Sequence, residues 1–70
     1  MALIILKTDI TNARDVFRVK PILDAHADIV KWTIDIEDVD KVLRVQTKTD
    51  LSTTEIIQLL KNADFICEEL

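Results

Sequence analysis

The chain opens on an unbroken apolar run, Ala2 to Leu6, closed by Lys7 and then by Thr8 and Asp9. An apolar run without alternation is the pattern of a strand inside a sheet, covered on both sides by neighbours, rather than of a one-sided edge. Thr11 and Asn12, both good N-cap types, precede Val16, Val19 and Leu23 at i, i+3 and i+7, which predicts an amphipathic helix whose stripe Phe17 and Ile22 widen. Pro21 falls inside that stripe. Its missing N–H and the crowding of the Phe17 carbonyl by its ring predict a kink or an early end to the helix.

From residue 29 to 36 the period drops to two, with Trp32, Ile34 and Ile36 on one face and Lys31, Thr33 and Asp35 on the other. That is a strand covered on one side, with Trp32 inside. The polar link Glu37-Asp38-Val39-Asp40 is short enough for a hairpin, and Val42 to Thr47 alternate again with Leu43 and Val45 inward. Ser52-Thr53-Thr54-Glu55 is a capping box, and Ile56, Leu59, Leu60 and Ala63 supply the apolar face of the helix it starts. Phe65 to Leu70 read as a last strand, with Cys67 on the same face as Phe65.

The order is strand, helix, strand, strand, helix, strand. Helices with one apolar stripe each and strands to receive them predict an α+β, ferredoxin-like βαββαβ two-layer sandwich: a four-stranded antiparallel sheet with both helices on one face. The whole chain, residues 1–70, is read as one domain.

Composition narrows what such a domain does. A chain of 70 residues, 49% hydrophobic and 31% charged, belongs with globular proteins, although its size limits the core. One cysteine allows no internal disulfide, which fits a reducing cytoplasm, and the N-terminal apolar run is too short for a signal peptide or a membrane span. A net charge of −4 with scattered basic residues, and only Phe17, Trp32 and Phe65 as aromatics, argues against nucleic-acid binding. There is no glycine for a phosphate loop and no nucleophile with its base, so neither an enzyme nor a cofactor is expected.

The spacing Ile10-Thr11-Asn12-Ala13-Arg14-Asp15-Val16-Phe17-Arg18-Val19, with Leu23 four residues on, resembles the signature M-T-C-x-x-C-V-x-x-V of the heavy-metal-associated domain family, the modules of copper chaperones and metal-pumping ATPases. The stretch 29 to 36 looks like that family's second strand, Ser52 to Ile57 like its second helix start, and Ala63-Asp64-Phe65-Ile66-Cys67 like its A-G-Y/F-x-A tail. In the family two cysteine thiolates hold a soft ion such as Cu(I), and here Asn12 and Asp15 stand at those positions. Amide and carboxylate oxygens are hard donors, so the transfer chemistry that the resemblance implies does not carry over to this loop.

Each candidate ligand has a plainer expected role. Asp9, Asn12 and Asp15 sit at a helix start, where such side chains cap free amides. Cys67 is expected as a buried, inert thiol. His26, just past the first helix among Asp24 and Asp28, is expected at the surface near the helix C-terminus, without a second histidine to complete a zinc set. Asp35, Glu37, Asp38 and Asp40 are expected to form a solvated turn.

Two functions follow as expectations. The first is a non-catalytic module without the cysteine site that binds a protein partner or a second copy of itself, with no nucleic acid and no membrane. Its open sheet face is expected to draw apolar surface from Ile4 with Leu6, or from Leu3 with Ile5, alongside Val30 and Val42; the surface taken is Ile4, Leu6, Val30 and Val42. The alternative is an unconventional heavy-metal carrier or metallochaperone using Cys67, His26 or the Asn12 and Asp15 loop.

Overall fold

The computed structural model describes residues 2–49 and 52–70. Along the chain run β1 (Ala2–Thr8), α1 (Ala13–Asp24), β2 (Ile29–Asp35), β3 (Val42–Thr47), α2 (Thr53–Lys61) and β4 (Cys67–Glu69). The strands form one four-stranded sheet in the order β2-β3-β1-β4, with every neighbouring pair antiparallel. This is the ferredoxin-like arrangement that the alternating periods predict, and β1 is an inner strand as its unbroken apolar run requires.

Both helices start where their caps stand. The Asn12 side chain accepts from the Asp15 N–H at the head of α1, and the Ser52 hydroxyl accepts from the Thr54 N–H at the head of α2. The serine thus reaches one residue short of the capping-box partner, Glu55. Pro21 does not stop α1: the helix runs on to Asp24, so the proline loses one internal hydrogen bond without ending the element.

Val19 and Leu23 of α1 and Ile56 and Leu60 of α2 are fully buried against Ile4, Leu6, Leu43, Val45 and Cys67. Both helices therefore cover the same face. Phe17 departs from the expected stripe, being 78% exposed, because it lies about 100° around the helix from Val16 and off the sheet-facing arc. Trp32 lies on the covered face, packed at the rim of the core, where its indole N–H reaches the Asp24 carboxylate at 2.8 Å.

The β1–β3 register decides which half of the first apolar run is inside. Ile4 opposes Val45 and Leu6 opposes Leu43, all on the covered face, whereas Leu3 opposes Gln46, Ile5 opposes Arg44 and Lys7 opposes Val42 on the open one. The expected interaction surface is corrected accordingly. Ile4 and Leu6 are core residues, and Val42 faces outward in register but is only 5% exposed, flanked by Lys7 and Asp35. Of the four, Val30 alone is an exposed surface residue, and Leu3, at 55%, supplies the open face instead.

Candidate functional site

The loop from Thr8 to Asp15 joins β1 to α1, where the sequence resemblance places its ligand positions. Ile10 is fully buried and anchors it. Thr8, also buried, donates its hydroxyl to the Lys41 carbonyl at 2.6 Å and accepts from the Ile10 N–H at 3.2 Å, which fixes the chain direction out of β1. Asp9 is tied to the residue that leads into β4: its N–H donates to the Ile66 carbonyl at 3.2 Å and its carboxylate accepts the Ile66 N–H at 3.0 Å.

Asn12 and Asp15 come together, but each is occupied with backbone. The Asn12 carbonyl oxygen accepts the Asp15 N–H at 2.9 Å, while the Asp15 carboxylate accepts the Thr11 N–H at 3.3 Å and lies 3.4 Å from the Thr11 hydroxyl. Side chain and backbone cap each other reciprocally, which satisfies amides that the first turn of α1 leaves free and sets a negative charge against the positive end of the helix. Such hard oxygen donors do not match the soft, polarizable Cu(I) ion.

The sulfur lies elsewhere. Cys67 is buried on the covered face, opposite Thr8, and burial, with the nearby Asp9 carboxylate adding to it, pushes its thiol up to about 11. A protonated thiol inside a core is neither a ready nucleophile nor a ready ligand.

His26 sits past the other end of α1, a helix of 12 residues and so about 18 Å long, far from Asn12 and Asp15. Its Nδ1 accepts the Asp28 N–H at 3.2 Å, holding the turn into β2. Among the described residues no three His, Cys, Asp or Glu side chains converge as a metal site. The acidic hairpin is likewise spent on its own turn, with the Asp35 carboxylate accepting from Glu37 and Asp38 N–H groups and Asp38 from Asp40.

Sequence reasoning missed two features of this end of the molecule. Arg18 crosses from α1 to donate to the Ala63 carbonyl at 3.2 Å, its guanidinium 4.9 Å from the centre of the Phe65 ring, a cation–π contact that pins α1 to the α2–β4 link. Asp64 takes a left-handed φ of 68°, and the Phe65 N–H to Leu60 carbonyl and Asp64 N–H to Lys61 carbonyl bonds close α2 around it in a Schellman pattern. The signal for the second was present, since the family tail that Ala63-Asp64-Phe65 resembles has a glycine there, the residue that such a φ favours.

No protein-family model matches the chain, and no curated protein matches it. Solved structures do. A domain from work on crosstalk between Cu(I) and Zn(II) homeostasis superposes with a TM-score of 0.84 at 7% identity over 100% of both chains. The solution structure of the Atx1–Cu(I)–Ccc2a complex gives 0.83 at 20% identity, covering 97% of this chain and 93% of that one. The yeast copper transporter domain Ccc2a, solved in its apo and Cu(I)-loaded states, gives 0.81 at 20% identity over the same shares. At such identities the likeness establishes the fold: this chain has the βαββαβ architecture of copper-transport domains. No helix of the described residues is long and apolar enough to cross a membrane.

Proposed function

We propose that this chain is a non-catalytic, cytoplasmic module of the heavy-metal-associated type, residues 1–70 forming one domain, that has kept the fold's frame, holds no metal, and acts by binding a protein. The observation that carries this reading is the use made of the two positions where the family has thiolates. Asn12 and Asp15 are engaged with each other and with Thr11 as a helix cap, a role that needs no ion to complete it. The lone thiol, Cys67, is buried and held protonated. A protein partner is in keeping with the fold, because the Atx1–Cu(I)–Ccc2a structure is itself a complex.

Native mass spectrometry of the reduced protein, alone and with Cu(I), Zn(II) and Ni(II), tests this directly. The expected result is the metal-free mass in every case. Stoichiometric metal that disappears on Cys67→Ala would overturn the reading in favour of an unconventional carrier.

A further inference from the structure

We propose that a second copy of this chain pairs with the first along β2, antiparallel, about a two-fold axis through Thr33; this deepens the interaction-module reading and rests on it. The two outer strands of the sheet are unequal. β4 has three residues, whereas β2 has seven and presents the longer open edge. A long unpaired edge is a template for another strand unless something blunts it.

The hydrogen-bond parity identifies which groups face outward. The Thr8 N–H reaches Asp40, whereas the Ile5 carbonyl accepts from Leu70 and the Asp9 N–H donates to Ile66, so even-numbered residues of β1 bond toward β3 and odd-numbered ones toward β4. Through the register, Leu43, Val45 and Thr47 then bond to β1, leaving Val42, Arg44 and Gln46 to bond β2; the Lys48 N–H to Asp28 carbonyl bond continues that parity. Lys31, Thr33 and Asp35 oppose those three residues, so their backbone groups are used within the sheet. The N–H and C=O groups of Trp32 and Ile34 point away from it.

The register of the second copy follows from the sequence of that edge. A bulge between Ile29 and Lys31 leaves Lys31 to Asp35 as the regular stretch, with Thr33 at its centre. A two-fold through Thr33 sets Lys31 of each copy opposite Asp35 of the other, Thr33 opposite Thr33, and Trp32 opposite Ile34. Opposite charges and threonine pairs meet on the open face, and an apolar pair meets on the helix face. Trp32 and Ile34 would exchange about four backbone hydrogen bonds. Centring on Trp32 sets Lys31 opposite Thr33 and Asp35 opposite Ile29, and centring on Ile34 sets Asp35 opposite Thr33 and Lys31 opposite Glu37, which lies past the end of β2, so neither alternative pairs charges within the strand.

The charges are available for this. Lys31 has no ion pair among the described residues, and the Asp35 turn contacts use one carboxylate oxygen, Oδ1. Apolar surface flanks the same edge on the helix side. Phe17 lies on the flank of α1 that carries Lys20 and Asp24, and a groove of about 440 Å³ runs between that flank and β2, lined by Lys20, Asp24, Val30 and Trp32 among others.

Sedimentation velocity over a concentration series, on the wild type and on Lys31→Glu, Asp35→Lys and their equimolar mixture, tests the pairing. The wild type is expected to form a dimer, and each variant alone to associate at least about tenfold more weakly because like charges then face each other. The mixture restores both opposite-charge pairs and is expected to give a one-to-one heterodimer. Should Asp35→Lys fail to fold, since Asp35 also holds the turn, Lys31→Glu and Lys31→Thr carry the test with circular dichroism as the fold control. A wild type that stays monomeric at about 1 mM overturns the pairing, as does a Lys31→Glu chain that associates like the wild type. Tighter association of Lys31→Thr would also overturn it, by showing that Lys31 guards the edge. None of these outcomes touches the metal-free reading, which falls only to stoichiometric metal in the mass spectrum.

Discussion

The two faces of the sheet are built from the same strands, yet they are chemically unlike. On the covered face Leu6, Leu43 and Val45 are sealed under two helices, with Thr8 and Thr47 the only buried polar side chains among the described residues, each hydrogen-bonded. On the open face Leu3 and Ile5 stand among Thr33, Gln46 and the long side chains of Lys7, Lys31 and Arg44, whose stems can lie along apolar surface while their heads stay in water. An apolar residue on this domain therefore means core or mere surface according to a single step of strand parity.

The sharpest way to break that contrast is to truncate one leucine on each face. Leu43→Ala is expected to lower the stability measured by urea denaturation by about 2–5 kcal/mol, through lost burial and a cavity. Leu3→Ala is expected to cost no more than about 0.5 kcal/mol. Equal losses would mean that the open face is covered in solution, which the β2 pairing does not require of Leu3.

Cys67 sharpens the same contrast chemically. With its thiol raised from the ordinary 9.0 to about 11, the folded protein is expected to react with iodoacetamide at pH 8 at least about 100-fold more slowly than the urea-unfolded chain. The linkage has a definite sign. Between pH 9 and 11 the unfolded chain gives up this proton while the folded one keeps it, so the stabilisation is complete below about pH 9 and is lost as the pH rises toward 11. Urea midpoints for wild type and Cys67→Ala should diverge over that window, the wild type falling faster; parallel curves would show a thiol open to solvent.

A modest gain is expected at the rim where the layers join. Asp64 holds φ 68° without being glycine, and Asp64→Gly should raise stability by about 0.5–1 kcal/mol by relieving that conformation. A loss of stability would mean that the aspartate side chain contributes more than its backbone strain costs.

Much of this architecture was legible in the sequence because it is local. Period-two alternation from Trp32 to Ile36, the serine and asparagine caps and the helical stripe through Val19 and Leu23 depend on neighbours a few residues away. The site was legible in one respect, the oxygen donors standing where the family has thiolates, and these are found capping α1 as helix-start chemistry anticipates. It was illegible in others. Arg18 and Phe65 meet across 47 residues of chain, and nothing at either position announces the other.

The sequence by itself determined the order of elements, where the helices begin, and the absence of a second cysteine to join Cys67. Tertiary structure alone decided which half of the run Ala2 to Leu6 is buried, because a continuous apolar strand carries no parity of its own and takes it from the residues it opposes, Val45 and Leu43. It likewise placed Phe17 outside, left β2 as the long open edge, and put His26 and Asn12 at opposite ends of α1. The physical reason is common to all of these: period, caps and turns are set by near neighbours, whereas facing, edges and convergence are set by pairings between segments far apart in the chain.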